Sequence, residues 1–271
     1  MASIVYAMES LLVSRENSVV TVTINQPKKK NAVNPPMWDG LAEIFRRIAS
    51  NANDRVVVVT GAGNDFCSGA DLSGRGEAAS SAGGVARPNH LVAMRRVNAA
   101  CIALQHLPQP TIAKVRGVAV GAGCNLALGC DLVVASQSAR FSEIFARRGL
   151  SLDFGGSWLL PRRVGMHRAK ELAFFAEIVS ASDAAEMGLV NRVLPDHELD
   201  EFVDQWARKL AAGPPIALAQ TKRLLNNALN VTLEQALDDE AAAQTVNFST
   251  ADTAEAMRAF IEKRDPKFTG R

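Results

Sequence analysis

The stretch VRGVAVGAGCNLALGCD, residues 115–131, places four glycines among apolar residues and contains few polar side chains. After its arginine, the polar residues are Asn125, Asp131 and two cysteines. A backbone so free of side chains predicts a role for main-chain N–H groups, because glycine allows a ligand or another segment to come close. The runs at 111–115 and 132–135 predict buried strands, with a helix near 123–129 between them.

The whole chain has the composition of an ordinary soluble protein. It has 271 residues, of which 48% are hydrophobic and 21% charged, and its formal net charge is +2. This weak charge predicts no nucleic-acid partner and no attraction to an acidic membrane. The apolar region 111–135 is interrupted by charged residues, so we expect no membrane span, and the N-terminus lacks the pattern of a signal peptide. We therefore expect a cytoplasmic protein.

Several kinds of site are excluded by spacing. The four cysteines, at 67, 101, 124 and 130, form no CxxC pair, and no cysteine–histidine pair has zinc-site spacing. We expect reduced thiols and no metal. The segments TGAGNDF and GAGCNL have Phe66 and Leu126 where a dinucleotide loop needs glycine, and neither contains the GK[ST] of a phosphate loop.

Strand and helix patterns alternate through the first two hundred residues, which predicts an α/β core with largely parallel pairing. The alternation in Val19–Ile24 predicts a strand with a hairpin partner at 11–14, and 55–61 reads as a strand buried on both faces. The small, polar stretch 73–89 predicts a mobile surface loop.

Helix starts are indicated by capping residues and prolines, and after residue 195 the pattern is entirely helical. One helix is expected at 89–106, and Gly213 with its two following prolines is expected to open another. The other expected starts are Asn34 before Pro35, Thr232 with Gln235, and Ser249 with Asp252.

Two glycine-containing turns fit an oxyanion hole. FCSGADL (66–72) and GAGCN (121–125) both follow predicted strands, and the second opens a predicted helix. Two N–H groups presented without bulky side chains can stabilise a carbonyl oxygen as it becomes an enolate. The helix N-terminus favours the same developing negative charge.

Six stretches, in this order, resemble the enoyl-CoA hydratase/isomerase (crotonase) superfamily. They are QPKKKNAVN (26–34), VVVVTGAGNDFCSGADL (56–72), PQPTIAKVRGVAVGAGCNLALGCDLVVAS (108–136), GLSLDFGGSWLLPRRVG (149–165), SASDAAEMGLVNRVLP (180–195) and RAFIEKRDPKF (258–268). The resemblance implies a crotonase (ClpP-like) α/β fold. A spiral of ββα units with the acyl-CoA site would occupy residues 1–195, and a C-terminal helical trimerisation region would occupy 196–271.

The resemblance also implies the substrate, the assembly and the roles of individual residues. The substrate would be an acyl-CoA thioester, with no separate cofactor, and the assembly a homotrimer or a dimer of trimers. The oxyanion donors would be the N–H groups of Ala70 and Ala122. The remaining substrate-binding residues would be Asn31, Ala32, Gly69, Asp71, Leu72, Gly121, Asn125, Phe145, Trp158, and, from the C-terminal region, Phe260 and Lys263.

The sequence departs from the family at both glutamates that its hydratases use. Asn125 occupies the first position, and Phe145 occupies the second in a gap-free match to Gly149. Glu143 lies two residues from the second position, and we interpret it as a solvated loop acid. Family members that shift double bonds or form a covalent aryl-CoA adduct carry an aspartate where this sequence has Asp153.

Asp153 is therefore predicted to be the single acid/base of an enoyl-CoA isomerase, and GLSLDFGGSWLLPR resembles the phenylacetate-related isomerase branch. One carboxylate can remove the α-proton and return it at the γ-carbon. One alternative is a hydratase using Glu143 or Asp153, with Asn125 orienting water. The alternative of another class is a non-catalytic acyl-CoA-binding or RNA-binding relative. His90, the base that a dehalogenase would need, is interpreted as a surface residue.

Overall fold

The computed structural model describes residues 3–73 and 89–271. The strands are β1 (Ser3–Met8), β2 (Leu11–Glu16), β3 (Val19–Ile24), β4 (Val56–Gly61), β5 (Thr111–Val115), β6 (Val118–Val120), β7 (Leu132–Ser136), β8 (Arg140–Ser142), β9 (Val179–Ser180) and β10 (Arg192–Leu194). The helices are α1 (Pro35–Ala49), α2 (His90–Gln105), α3 (Ala122–Leu128), α4 (Gly156–Phe175), α5 (Ala181–Glu186), α6 (Leu199–Ala211), α7 (Pro215–Asn227), α8 (Leu233–Phe248) and α9 (Ala251–Glu262).

Two sheets form the α/β core. The larger sheet has the order β1-β2-β3-β4-β5-β7-β10, and the smaller has the order β6-β8-β9. Strands β1, β2 and β3 pair in antiparallel fashion, whereas β3, β4, β5, β7 and β10 pair in parallel. The predicted hairpin and the predicted parallel core are both confirmed.

Each ββα unit places one strand in the large sheet and one in the small sheet, and a helix follows the two strands. Strand β5 lies in the large sheet and β6 in the small one before α3, and β7 and β8 repeat this placement before α4. In the preceding unit, β4 is followed by a single bridge from Cys67 to Ala119 of β6. The expected succession of ββα units is therefore confirmed. The segment 66–72 follows β4, and the segment 121–125 joins β6 to α3.

Each face of the large sheet is covered by helices. Asn34 caps α1 by accepting a hydrogen bond from Met37 N–H, and Pro35 is the first helical residue, as predicted. The buried side of α1 includes Trp38 and Phe45 and belongs to the main core. On the other face, Leu199 and Val203 of α6 pack on the valines of β4 and on other apolar residues of β5 and β7. The first helix after residue 195 is thus part of the core, and the boundary at 195 stays a prediction.

The helix caps in the C-terminal region agree with the sequence at one site and differ at another. Thr232 and Gln235 form the predicted capping box of α8. The prediction of Ser249 with Asp252 is wrong, because Thr250 is the cap of α9 and accepts a hydrogen bond from Thr253 N–H. Asp252 is buried and accepts hydrogen bonds from Thr269 and Gly270 instead, which fastens the end of the chain to α9.

The predicted mobile loop at 73–89 lies almost entirely outside the described residues. Within the described ranges, no helix combines the length and apolar character needed to cross a membrane.

Asp131, one of the few polar residues in the opening stretch, joins the sheet to α7. Its Oδ2 accepts hydrogen bonds from Thr111 N at 2.7 Å and Thr111 Oγ1 at 2.9 Å. Lys222 Nζ lies 2.7 Å from the same oxygen, and the Lys222 side chain is almost entirely buried. This ion pair attaches α7 to the glycine-rich segment.

Replacing Lys222 tests the importance of this attachment. Lys222→Met should lower the free energy of unfolding by about 3 kcal/mol, because it leaves the Asp131 charge poorly compensated. Adding Asp131→Asn should restore part of the loss, since the amide oxygen can still accept from Thr111. Urea unfolding at neutral pH measures both values. A double variant no more stable than Lys222→Met would contradict this account.

Candidate active site

The two glycine-containing turns pack directly on each other. Cys67 N–H donates to Val118 O at 2.8 Å, and Val120 N–H donates to Cys67 O at 3.0 Å. A Cβ on Gly123 would lie 2.2 Å from Cys67 O, so only glycine fits there. This glycine therefore permits close packing of two backbone segments, which brings the start of α3 beside the 66–72 turn.

The predicted oxyanion donors are adjacent and available. A Cβ built on Gly69, next to Ala70 in the chain, would lie 3.6 Å from Ala122 N. Ala122 is the first residue of α3, where the backbone N–H has no partner within the helix. In the described part of the chain, neither the Ala70 N–H nor the Ala122 N–H donates a hydrogen bond to another residue. Both N–H groups are therefore available to a ligand.

Asn125 lies one turn further along α3 and is completely buried. Its Nδ2 donates to the backbone carbonyl of Asp153 at 3.0 Å and to Glu143 Oε2 at 3.2 Å. A Cβ on Gly156 would lie 2.4 Å from the same Nδ2, so glycine at 156 makes room for the amide. Asn125 thereby connects the helix that carries Ala122 with the loop that carries Asp153.

Glu143 is the main correction to the sequence analysis. Its interpretation as a solvated loop acid is wrong, because its side chain is buried and the residue is only 2% exposed. The residue directly follows β8, and Gly121 N–H donates to the carbonyl of Ser142 at 2.8 Å. The acidic residue stands between Phe141 and Phe145, and this apolar context is the sequence signal that could have indicated burial.

Burial controls the protonation of this cluster. Desolvation raises the pKa of Glu143 to about 7, with a further rise from the Asp153 charge, while hydrogen bonds from Cys124 and Asn125 oppose the shift. Burial and the Glu143 charge raise the pKa of the Cys124 thiol well above its ordinary value. Cys124 therefore remains a neutral donor rather than a thiolate.

The Asp153 loop is held by its backbone. Asp153 O accepts from Gly156 N–H at 2.9 Å as well as from Asn125. The next residue, Phe154, is fully buried against Trp38, with ring centroids 5.3 Å apart, and adopts a positive φ of 46°. Gly155 then caps α4. Asp153 itself is half-buried, at the point where this loop approaches α3.

Known proteins of one family are similar to this chain over nearly its whole length. The family model for enoyl-CoA hydratase/isomerase matches residues 14–271. The chain belongs to that family. It is 39% identical to the 1,2-epoxyphenylacetyl-CoA isomerase of Escherichia coli over 97% of this chain and 100% of the relative. It is also 39% identical to a protein of Rhodobacter capsulatus named "Probable enoyl-CoA hydratase", over 93% of this chain and 95% of that protein.

Solved structures of the family confirm the crotonase fold. The enoyl-CoA hydratase of Bacillus anthracis superposes with a TM-score of 0.88 at 34% identity, covering 100% of this chain and 99% of that one. The chain is therefore an enzyme of the enoyl-CoA hydratase/isomerase family, which acts on acyl-CoA substrates. Its relatives include proteins named as isomerases and proteins named as hydratases.

The residues predicted to line the coenzyme A groove differ in accessibility. Asn31 is fully buried, and its amide donates to Ala62 O and Asp65 O, so its side chain supports the loop from within. Ala32 is also buried, whereas Leu72 is exposed. Asp71 pairs with Lys29 at 2.7 Å, and this contact, with hydrogen bonds from Ser73, lowers the pKa of Asp71 to about 2.

Other predicted residues fall at the edges of the site. The Phe145 ring is buried, and its Cζ lies 3.6 Å from the position of a Cβ on Gly121. Trp158, 37% exposed, borders a cavity of about 710 Å³ between α2, α4 and α7. His90 is exposed at the start of α2. Phe260 is 85% exposed near the end of α9, and Lys263 is exposed just after it.

The raised pKa of Glu143 predicts how stability depends on pH. A carboxyl group that binds its proton more tightly in the folded chain than in the unfolded chain destabilises the fold as pH rises. Glu143→Gln removes this effect. Its stability relative to the original chain should improve by about 2 kcal/mol between about pH 5.5 and about pH 8.5.

Urea unfolding at the two pH values measures this difference. Glu186→Gln, the same change at an exposed glutamate, is the matched control and should show no such trend. An equal change in both variants would mean that Glu143 is not the group responsible.

Proposed function

We propose that this enzyme is an enoyl-CoA double-bond isomerase of the cytoplasm, with Asp153 as its single acid/base and the N–H groups of Ala70 and Ala122 as its oxyanion hole. The four cysteines are all free, which suits a reducing compartment. The similarity to the E. coli protein named 1,2-epoxyphenylacetyl-CoA isomerase supports an isomerase over a hydratase.

The observation that carries the proposal is the hydrogen bond from Asn125 Nδ2 to Asp153 O. Asn125 and Ala122 belong to the same short helix, so this bond fixes the Asp153 loop beside one of the two oxyanion donors. A carboxylate held beside an oxyanion hole supplies the two components that α-proton transfer requires.

The proposed reaction moves one proton and shifts one double bond. The Asp153 carboxylate removes the α-proton of a 3-enoyl thioester, and the electron pair moves onto the thioester oxygen to form a dienolate. The N–H groups of Ala70 and Ala122 stabilise that oxygen, each by about 3 kcal/mol in the transition state. The protonated Asp153 then returns the proton to the γ-carbon, the double bond moves to the 2,3 position, and the carboxylate is regenerated.

A hydratase is the second candidate, because the structure contains another carboxylate near Asp153. Glu143 accepts a hydrogen bond from Asn125. Asn125 stands where hydratases of this family carry their first glutamate. Glu143 is nevertheless buried, and the Phe145 ring lies beside Gly121. The burial of Glu143 argues against its activating a water molecule, so we favour isomerisation.

Deuterium incorporation separates the two reactions. Incubation with 3-enoyl-CoA and 2-enoyl-CoA thioesters in D₂O should introduce label without adding the mass of water. Asp153→Asn should reduce the exchange rate by about 10³-fold, within the usual range for removal of a general base. Mass spectrometry of the thioesters gives both label and hydration.

Asp204→Asn is the matched control, since it makes the same change at an exposed aspartate of α6. It should exchange at the original rate. Water addition that persists in Asp153→Asn would overturn the isomerase proposal and favour the hydratase. Thioester binding without exchange or hydration would favour a non-catalytic relative.

We also propose that the enzyme assembles as a homotrimer or a dimer of trimers through its C-terminal helices, with Phe260 and Lys263 reaching coenzyme A in a neighbouring subunit. The support is the amount of apolar surface that a single chain leaves uncovered there. The exposed apolar residues of this region are Leu225, Leu229, Leu233, Leu237, Val246, Phe248, Met257, Phe260 and Ile261.

Charge placed on this surface should dissociate the assembly. Leu233→Glu combined with Leu237→Glu puts two carboxylates on one side of α8, where burial against a partner would cost several kcal/mol. Light scattering after gel filtration should show the mass of one chain for this variant and a multiple of three for the original protein. Ala242→Glu, on the opposite side of the helix, should stay assembled. An original protein with the mass of one chain would refute the proposal.

A further inference from the structure

Glu143 is a buried acid that the proposed reaction does not use. Asn125 Nδ2 donates to its Oε2, and its backbone directly follows β8. The titratable groups that act on it are Cys124 of α3 and Asp153 of the loop before α4. In the described residues, no Lys, Arg or His forms an ion pair with it.

Two buried acceptor oxygens in this cluster have no hydrogen-bond donor. The two hydrogens of the Asn125 amide go to Glu143 Oε2 and to the Asp153 carbonyl. Glu143 Oε1 and Asn125 Oδ1 are both buried and have no hydrogen-bond partner. Rotating the amide by half a turn would not help, because its oxygen would then face two acceptors. A proton on Glu143 Oε1 would make that oxygen a donor, and the unpartnered Oδ1 belongs to the amide that already bonds to this carboxyl group.

Electrostatic interactions also favour a protonated Glu143. Burial and the Asp153 charge both favour the neutral form of Glu143. Two neighbouring carboxylates in a poorly solvated site resist ionising together, so their protonation states separate. Asp153 is the more exposed of the two, and Glu143 the more buried. The charge therefore belongs on Asp153 and the proton on Glu143.

We propose that Glu143 is a positioning residue, whose proton is donated to the side-chain oxygen of Asn125 and thereby fixes the amide that holds the Asp153 loop. The inference rests on the proposed role of Asp153 as the base. Ionised Glu143 loses this donor, leaves its charge beside Asp153, and loosens the connection between α3 and the loop. Isomerase activity then declines as Glu143 ionises, whereas binding of coenzyme A does not.

Two variants of Glu143 separate this role from simple packing. Glu143→Gln has nearly the same shape, and its amide can donate to Asn125 Oδ1 at every pH while its oxygen accepts from Asn125 Nδ2. Glu143→Leu fills the space but can do neither.

The experiment is the pH profile of kcat and KM for isomerisation between about pH 5.5 and about pH 9. In the original enzyme, kcat should fall at least about fivefold with a midpoint near the pKa of Glu143, about 7. Glu143→Gln should keep kcat constant within about twofold over this range, and KM should be unchanged. Glu143→Leu should have a kcat at least about tenfold lower at every pH. Circular dichroism checks that each variant is folded.

Infrared spectroscopy provides a readout that does not depend on the choice of substrate. At about pH 6 the original enzyme should show the carbonyl band of a protonated buried carboxyl group, and the band should disappear in Glu143→Gln and on titration to alkaline pH. Absence of this band at that pH would overturn the inference.

The outcomes distinguish the two proposals. An alkaline decline in Glu143→Gln equal to that of the original enzyme, or equal activity of Glu143→Leu and Glu143→Gln, would overturn the positioning role while Asp153 remains the base. Full exchange activity in Asp153→Asn would instead overturn the proposed function, and with it the role of Glu143.

Discussion

The buried amide of Asn125 is the contact on which the arrangement of this site depends. It joins three segments that are distant in sequence: helix α3, the residue after β8, and the loop before α4. Each segment is also fixed by its own backbone, α3 by the close packing of Gly123 on Cys67 and the loop by the buried ring of Phe154. The amide therefore connects rigid parts, and a small change in its orientation moves the Asp153 loop relative to the start of α3, where Ala122 lies.

Size and charge both favour an asparagine at this position. Gly156 leaves only enough room for the amide, because a Cβ there would already overlap it. A glutamate at 125 would be longer and would place a third carboxylate beside Glu143 and Asp153. Three acids in one poorly solvated cluster would have to share protons, at a cost in stability or in the charge of the base. A neutral donor at 125 thus goes together with an aspartate at 153.

The sequence predicted the elements better than the contacts between them. Periodicity and capping residues identified β3, the start of α1 and the succession of strands and helices, because these depend on neighbours within a few residues. Glu143 was misinterpreted because its burial depends on α3 and on the Asp153 loop, which lie far from it in sequence. The hydrogen bonds from the Asn31 amide to Ala62 O and Asp65 O could not be predicted for the same reason, because these carbonyls lie 31 and 34 residues away in sequence.

The proposed proton, rather than the shape of the side chain, explains why residue 143 is a glutamate. A glutamine would make the same contacts with Asn125 and would avoid the loss of stability that a buried acid causes above neutral pH. What the carboxyl group adds is a dependence of the Asp153 loop on protonation. In the proposed reaction the half-buried Asp153 carries the charge and meets the substrate. The buried Glu143 keeps the proton in the same proposal, so the two acids differ in role because they differ in exposure to solvent.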